Sequence, residues 1–435
     1  MDMAFTASLV MFVGVVVLLV LGAPIAISVG ISSFAAMTVI LPYNGALTTS
    51  AQRMFVGLDS FALLAIPFFI LAGNIMNNGG IAIRLINFSK IVSGCFSAPL
   101  AQTNVVSNML FGSISGSGVA SCAAVGGIMN PIQKQEGYDP KFSTAVNIAS
   151  APTGMLIPPS NALIVYATVA GSVSVSALFM GGYIPGLLWG LGVMIVAGIM
   201  GKRRGYISKN SMTLNECIKV TIDAIPSMSL IVVVIGGILG GVFTATEASA
   251  IAVVYSMILG FSYRQLKVKD LPTIFLDTAK MASIVIFMIG ASSIMSWVMA
   301  FTQIPGMIAD ALLSFTSDPI LILLIINVVL LFIGTFMDPT PAVLIFTPIF
   351  LPICMGLGMH PVQFGILMVF NLSLGTITPP VGPILFTGCK ISGISIDSVI
   401  KTLLPFFLVI FLVLMLVTYI PAISMTLPEL AGLIM

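Results

Sequence analysis

Three kinds of stretch in this 435-residue chain hold polar side chains at spacings suited to chemistry, each in otherwise apolar surroundings. The first, GSISGSGVA at 112–120, sets Ser113, Ser115 and Ser117 among Gly112, Gly116 and Gly118. Serine supplies lone pairs and glycine lets the backbone approach closely, so such a turn suits coordination of an ion or of a ligand's oxygens. Gly112 and Gly116 also form a G-x-x-x-G packing face, which is the alternative reading. The second, GTFMDPTPA at 334–342, carries Met337, Asp338, Pro339 and Thr340. A carboxylate at membrane depth is costly and points to function, yet Asp followed by Pro is equally a good N-cap and first helical residue. The third occurs twice, as APTGMLIPPSN at 151–161 and LGTITPPVGP at 374–383. Paired prolines remove amide donors and unwind a helix, exposing carbonyls to a hard cation, with Thr153, Asn161, Thr376 and Thr378 as neighbouring oxygens. A kink that serves packing alone is the competing explanation.

Catalysis fits these residues poorly. An intramembrane serine protease needs a base beside its nucleophile, but the sole histidine, His360, falls in an expected external loop, and G-x-S-x-G is absent. No lysine is expected at the depth of Ser115 or Ser117, and no G-x-x-x-x-G-K-[ST] marks an ATP-driven pump. Cys95, Cys122, Cys217, Cys354 and Cys389 are scattered with no C-x-x-C, predicting neither a disulfide framework nor a zinc site. The run GKRRGYISK at 201–209 reads as a membrane flank and linker, not a nucleic-acid patch. No enzymatic activity is expected, and a passive channel seldom needs the elements described next.

The elements that must position these groups are membrane helices. The chain is 58% hydrophobic and 7% charged, with apolar runs near the ~20 residues that cross a bilayer as a helix. The first run, from Ala4 to Leu21, lacks a basic n-region and is read as a retained helix. Self-similarity then organises the rest. Pro131 and Pro352, Gly137 and Gly358, Pro140 and Pro361, Pro158 and Pro379, and Ser174 and Ser395 all lie 221 apart (352 − 131 = 221). An ungapped match at proline and glycine implies two copies of one unit, divided near residue 210. Expected spans are 4–22, 23–42, 60–78, a broken 143–180 and 182–200, then 224–243, 245–263, 281–300, a broken 363–388 and 404–422. Stretches 43–58 and 264–280 are expected to lie along the interface. With both termini outside, nearly all lysines and arginines fall inside and only Arg53 lies outside. That pattern survives only if the polar-centred stretches 98–131 and 322–352 are re-entrant hairpins entering from opposite faces, because an unpaired backbone inside lipid is costly unless buried in protein. Broken helices at corresponding positions of inverted repeats point to a midplane binding site. Half-helix N-termini at the hairpin tips suit an anionic substrate, and unwound carbonyls suit Na⁺. His360 is expected on the surface, Glu247 of GVFTATEASA as a helix cap, and Trp189 and Trp297 as anchors or packing residues.

The segments FFILAGNIMNNGGIAIRLINF (68–88), FGSISGSGVASCAA (111–124), GVFTATEASA and GTITPPVG (375–382) together resemble the large membrane subunit of tripartite ATP-independent periplasmic (TRAP) transporters, over essentially the whole chain. Ala245 stands where many members carry proline. The resemblance implies an all-α polytopic membrane protein of two inverted-topology repeats, each with a re-entrant hairpin and a broken transmembrane helix, working as an elevator. Its scaffold would comprise 1–58, 181–280 and 403–435. Its transport domain would comprise 59–180 and 281–402. One Na⁺ site would be framed by Ser115, Gly116 and Ser117 with Thr153, Gly154, Pro158 and Asn161; the other by Met337, Asp338, Gly375, Thr376 and Thr378. Substrate would lie between the tips, against Ser113, Ser115, Gly116, Ser117, Asp338, Pro339 and Thr340. The implied partners are a separate small four-helix membrane subunit and a periplasmic substrate-binding protein, in a bacterial inner membrane. The implied cargo is an organic anion, by likeness a sialic acid such as N-acetylneuraminate, with C4-dicarboxylates next; a stand-alone Na⁺/dicarboxylate or citrate symporter is the rival architecture.

Overall fold

The computed structural model describes residues 3–94, 96–171, 173–206, 213–316 and 318–434. Cys95, Lys209 and the expected junction near 210 lie outside the described residues. The first copy folds as α1 (Met3–Val20), α2 (Ile25–Ile40), α3 (Tyr43–Leu58), α4 (Ala65–Asn78), α5 (Ile81–Ser93), the hairpin α6 (Pro99–Ser115) and α7 (Gly118–Gln135), then α8 (Pro140–Ser150), α9 (Asn161–Ala170) and α10 (Val175–Arg203). The second follows with α11 (Leu214–Leu239), α12 (Ala245–Ser262), α13 (Leu271–Phe301), α14 (Ile304–Phe315), the hairpin α15 (Pro319–Gly334) and α16 (Pro339–Gly356), then α17 (Pro361–Gly375), α18 (Pro383–Ser392), α19 (Ile396–Tyr419) and a terminal α20 (Ala422–Leu430). Among the described residues there is no strand, and eight helices are long and apolar enough to cross a membrane.

The caps reproduce the repeat in physical terms. Ser117 opens α7 by accepting the Ala120 N–H, and its counterpart Asp338 opens α16 by accepting the Thr340 N–H. Asp139 accepts the Lys141 N–H at the start of α8, and His360 accepts the Val362 N–H at the start of α17. Different side chains thus cap helix starts at repeat-related positions, Asp139 and His360 through equivalent amides. His360 is therefore a half-buried cap, not simply a surface residue. Glu247 is a cap as expected, closing a capping box with Thr244.

Several boundaries move. The first broken span was expected to run to 180, but Gly171 adopts a left-handed φ of +72° after α9, and Ser174 caps α10 through the Ala177 N–H, so 175–180 belongs to the next helix. The stretch 264–280 does not form a separate interfacial helix like α3. After a single 3₁₀ turn (Val268–Asp270) it runs into the 31-residue α13. The cause is local: α3 ends at Leu58-Asp59-Ser60, where Asp59 leaves helical geometry, whereas LDTAKMAS at 276–283 holds Leu, Lys, Met and two alanines with no glycine or proline to stop the helix. The helices α5, α14 and α20 were not foreseen.

Packing interlocks the two copies. Hairpin arm α7 lies against α18 of the other copy, and α16 against α9, while α6 packs on α8 and α15 on α17. A second group gathers α2, α3, α4, α12 and α13, with α4 against α12 and α13 against both α2 and α3. The expected scaffold included α10 and α19, but α10 packs on α6, α17 and α19, and α19 on α8. The reason is a four-spaced glycine row on α10, which brings Gly182 against the Leu156 carbonyl, Gly186 against Ile157 and Gly190 against Met109. On the same face the buried Trp189 donates from Nε1 to the Ala149 carbonyl at 2.8 Å and packs on Phe370. Loop contacts join segments of the same expected side. Arg84 pairs with Asp223 at 3.1 Å and lies over the Tyr263 ring, and Arg204 pairs with Asp139. Thr246 donates to the Phe61 carbonyl, and Tyr419 to the Ile320 carbonyl, both at 2.9 Å.

Candidate functional site

The first tip is built from a helix that must stop abruptly. Gly116 takes φ +60°, which a side chain would resist, and its N–H closes on the Gly112 carbonyl at 2.8 Å. Chain direction then reverses through the extended Ser117 into α7. A Cβ on Gly116 would fall 3.1 Å from the Pro159 carbonyl oxygen, so the turn sits directly on the break of the first broken span. The second tip reverses through 335–338, and the Gly382 N–H donates to the Thr335 carbonyl at 2.9 Å, tying that tip to its own broken span. Both Pro-Pro bonds, Pro158-Pro159 and Pro379-Pro380, are cis.

Behind each tip two backbones touch. A Cβ on Gly154 would lie 2.3 Å from Gly112 Cα, and one on its repeat counterpart Gly375 would lie 2.4 Å from Gly334 Cα. These crossings hold each hairpin onto its broken helix at a distance only glycine permits. The buried hydroxyls of Thr153 and Thr376 donate to the Ser150 and Ser373 carbonyls, and Thr378 to that of Leu374. Each therefore keeps its oxygen lone pairs free to accept or to ligate.

Between the tips lies a cavity of about 430 Å³ that brings together Ser115, Gly116, Ser117 and Asn161 from the first copy with Asp338, Pro339 and Thr340 from the second. The Asn161 Oδ1 is buried without a hydrogen-bond partner. Such an oxygen is costly to leave unpaired and suits a cation or a ligand donor. Asp338 caps α16 through Oδ1, which accepts the Thr340 N–H at 3.2 Å, and is exposed on the cavity side, so the cap and ligand readings are compatible. The remaining candidates lie elsewhere. Ser113 points back along α6, donating to the Leu110 carbonyl, and neither it nor Met337 lines the cavity. Gly154 and Gly375 form the crossings, and Thr153, Pro158, Thr376 and Thr378 lie beside them in the broken spans, outside the cavity lining.

Sequence reasoning missed the opposite wall. Asn74 and Asn77 of α4 line the cavity together with Met281 and Met288 of α13, and the Asn74 amide donates to Thr278 at 2.9 Å. Three asparagines within the apolar run 68–78 were the available signal. Two buried amide networks were also missed. Asn108 donates to Asn104 Oδ1, Asn147 Oδ1 and Ser150 Oγ at 2.7–3.0 Å, fastening α6 to α8. Asn371 donates to Asn327 Oδ1 at 2.7 Å, fastening α17 to α15. Neither cavity nor crossings contain a cluster of His, Cys, Asp and Glu suited to a transition metal among the described residues; the donors present are hydroxyl, amide and carbonyl oxygens with the Asp338 carboxylate.

Comparison with known proteins places this architecture. The chain is 52% identical to an uncharacterized protein, YgiK, of Salmonella typhimurium over 97% of both chains. It is 37% identical to a C4-dicarboxylate TRAP transporter large permease of Pseudomonas aeruginosa (93% of this chain, 95% of that one) and 34% identical to a sialic acid TRAP transporter large permease of Vibrio cholerae (90% and 92%). The solved YdaH transporter of Alcanivorax borkumensis superposes with a TM-score of 0.63 over 86% of this chain and 87% of that one; at 16% identity the likeness concerns the fold alone. The family model of the DctM component matches residues 12–423, and the chain accordingly belongs to the DctM family of tripartite ATP-independent periplasmic transporters, as a large permease subunit.

Proposed function

We propose that this permease subunit imports an organic acid anion by Na⁺-coupled, elevator-type movement, receiving its cargo from a periplasmic binding protein and working with a small membrane subunit. The observation that carries the reading is the single cavity into which both hairpin tips project, with the unpartnered Asn161 oxygen and the Asp338 carboxylate on its wall. The cavity wall divides as an elevator requires. Tips and broken helices supply one side and α4 and α13 the other; on this reading α10 and α19, which pack on the hairpins and broken helices, travel with the moving body, and α4 and α13, expected within it from the sequence, stay with the stationary one. Na⁺ bound at the crossings would take hydroxyl and carbonyl oxygens, and the Thr153, Thr376 and Thr378 hydroxyls have the free lone pairs for it.

The lining also bears on cargo. Among the described residues no lysine or arginine borders this cavity, while Asn74, Asn77, Ser115, Ser117, Asn161 and Thr340 offer amides and hydroxyls. A hydroxyl-rich monoanion meets such a wall better than a dicarboxylate, whose second charge would lack a partner. A sialic acid such as N-acetylneuraminate is therefore the favoured substrate, and a C4-dicarboxylate the second. The orientation proposed has both termini on the periplasmic side of a bacterial inner membrane.

The test is uptake of radiolabelled N-acetylneuraminate, and separately of succinate, into proteoliposomes holding this chain and its small subunit, with and without an inward Na⁺ gradient and the binding protein. Uptake that needs all components supports the reading, and uptake indifferent to both Na⁺ and binding protein overturns it. Asp338→Asn and Ser117→Ala should each lower uptake at least about tenfold, the ~1.4 kcal/mol expected for one good ligand oxygen, without loss of membrane insertion. Normal uptake by both variants would remove the tips from the site.

A further inference from the structure

A second cavity, about 520 Å³, lies toward the other end of the same helices and is lined in part by Arg53, Thr168, Ser292, Ser293, Ser296 and Trp297. Its position relative to the first cavity follows from the helices they share. On α13, Met281, Ile284, Val285 and Met288 border the first cavity, and Ile289, Ser292, Ser293 and Ser296 border the second. On α9, Asn161 and Val165 face the first, and Thr168 and Val169 the second; on α16, Thr340 faces the first and Leu344 the second. From Met288 to Ser296 is only ~12 Å along the helix axis. The two cavities are thus successive stations on one interface between α9 and α16 on one side and α13 on the other.

The chemistry of this second station is that of an anion site. Arg53 is the one basic residue expected outside, its side chain is exposed, and it enters no ion pair among the described residues. Ser292 is only 3% exposed, yet its Oγ has no hydrogen-bond partner. Among the described residues no acidic side chain lines the cavity. A guanidinium fork binds a carboxylate through two parallel N–H donors, and a buried, unpaired hydroxyl beside it gains a partner when an oxyanion arrives.

We propose that this cavity is the external leg of the substrate route, and that Arg53, with Ser292 and its neighbouring hydroxyls, forms a carboxylate-capture subsite entered before the cargo reaches the hairpin tips. The inference rests on the anion-carrier reading above and adds a second site to it. Arg53 lies on α3 and Ser292 on α13, within the stationary group, so the subsite stays in place while α9 and α16 move past it.

Trp297 lines this cavity, whereas Trp189 is fully buried elsewhere, so emission of the purified full chain in nanodiscs reports on the site. Titration with N-acetylneuraminate, or with succinate, at constant ionic strength should change Trp297 emission saturably, with the signal lost in Trp297→Phe. Arg53→Gln should raise the half-saturation at least about tenfold and Arg53→Lys less, because lysine keeps the charge but not the fork. Ser117→Ala, at the other cavity, should leave this signal in place. In the assembled transporter, Arg53→Gln should raise the half-saturation for the anion during uptake without lowering the saturated rate. The proposal is overturned if Arg53→Gln leaves both half-saturations at wild-type values, or if more binding protein alone restores its uptake, which would make Arg53 a docking residue. Failure of wild-type uptake for both anions would instead overturn the cargo reading, and emission that still responds would keep the subsite as an anion site.

Discussion

Gly154→Ala is the sharpest perturbation the fold offers. The new Cβ would stand 2.3 Å from Gly112 Cα and 2.6 Å from the Gly112 carbonyl carbon. Carbon atoms rest ~3.5–4.0 Å apart, so hairpin and broken helix must separate by more than ~1 Å, and both partners are backbone that no rotamer change can clear. Overpacking of this kind costs ~1–3 kcal/mol. Gly375→Ala should behave alike, since its Cβ would stand 2.4 Å from Gly334. Gly127→Ala and Gly236→Ala supply the controls, because nothing lies within 4 Å of a Cβ at either position. Thermal unfolding in detergent, followed by size-exclusion recovery, should show the first pair destabilised and the controls unchanged. Uptake by the first pair should fall at least about tenfold, because the displaced backbone includes the carbonyls beside both tips. If Gly154→Ala and Gly375→Ala match the controls in stability and uptake, the crossings do not set the geometry of the site.

Asn371→Leu removes the donor to Asn327 Oδ1 and leaves that buried oxygen unpaired, an expected loss of ~1–3 kcal/mol in thermal stability. The double variant Asn327→Leu/Asn371→Leu should recover part of it, and a double variant worse than the sum of the singles would contradict the accounting. At His360, burial lowers the imidazole pKa, opposed in part by the Glu429 carboxylate. A lowered folded-state value favours the neutral, cap-accepting ring. Its contribution is therefore complete above the free value of ~6.5 and is lost as pH falls through the lowered folded value. Melting temperature should drop over that acid interval in the wild type and less in His360→Asn, which keeps a cap acceptor without titrating; equal pH slopes would refute the assignment.

Much of this was legible because prolines, glycines and caps act locally. Pro140 and Pro361, or Pro158 and Pro379, act on the backbone whatever surrounds them, so their 221-residue spacing exposed the two copies and both breaks, and the placement of lysine and arginine exposed the hairpins, before any packing was known. The asparagine networks were illegible for the opposite reason. Asn108 meets Asn147 across 39 residues and Asn371 meets Asn327 across 44, and nothing in either helix alone distinguishes a partnered amide from a stray one. The glycine row on α10 could be read as a contact face, but its partner, the broken span, could not. That is why the packing of α10 on the broken span was not foreseen. The absorption of 264–280 into α13 was missed because a repeat predicts shared elements, while helix propensity between them is free to diverge.

The repeat also sharpens what Asp338 means. At equivalent positions the chain places a neutral serine and a carboxylate, and each caps the helix it opens, Ser117 through the Ala120 N–H and Asp338 through the Thr340 N–H. Ser117 shows that a hydroxyl suffices to cap the second helix of a hairpin, so capping alone does not require the charge. A carboxylate kept on a cavity wall with no lysine or arginine must be balanced from elsewhere. Helix N-termini at the tips supply only partial positive charge. On the proposed reading, an anionic cargo adds a second negative charge to the same space, so two bound cations would bring the loaded cavity to neutrality before it crosses the membrane. The asymmetry between Ser117 and Asp338 thus favours a coupling of at least two Na⁺ per anion. It also predicts that Asp338→Asn would shift the Na⁺ dependence of any residual uptake, whereas Asp338→Glu would preserve it.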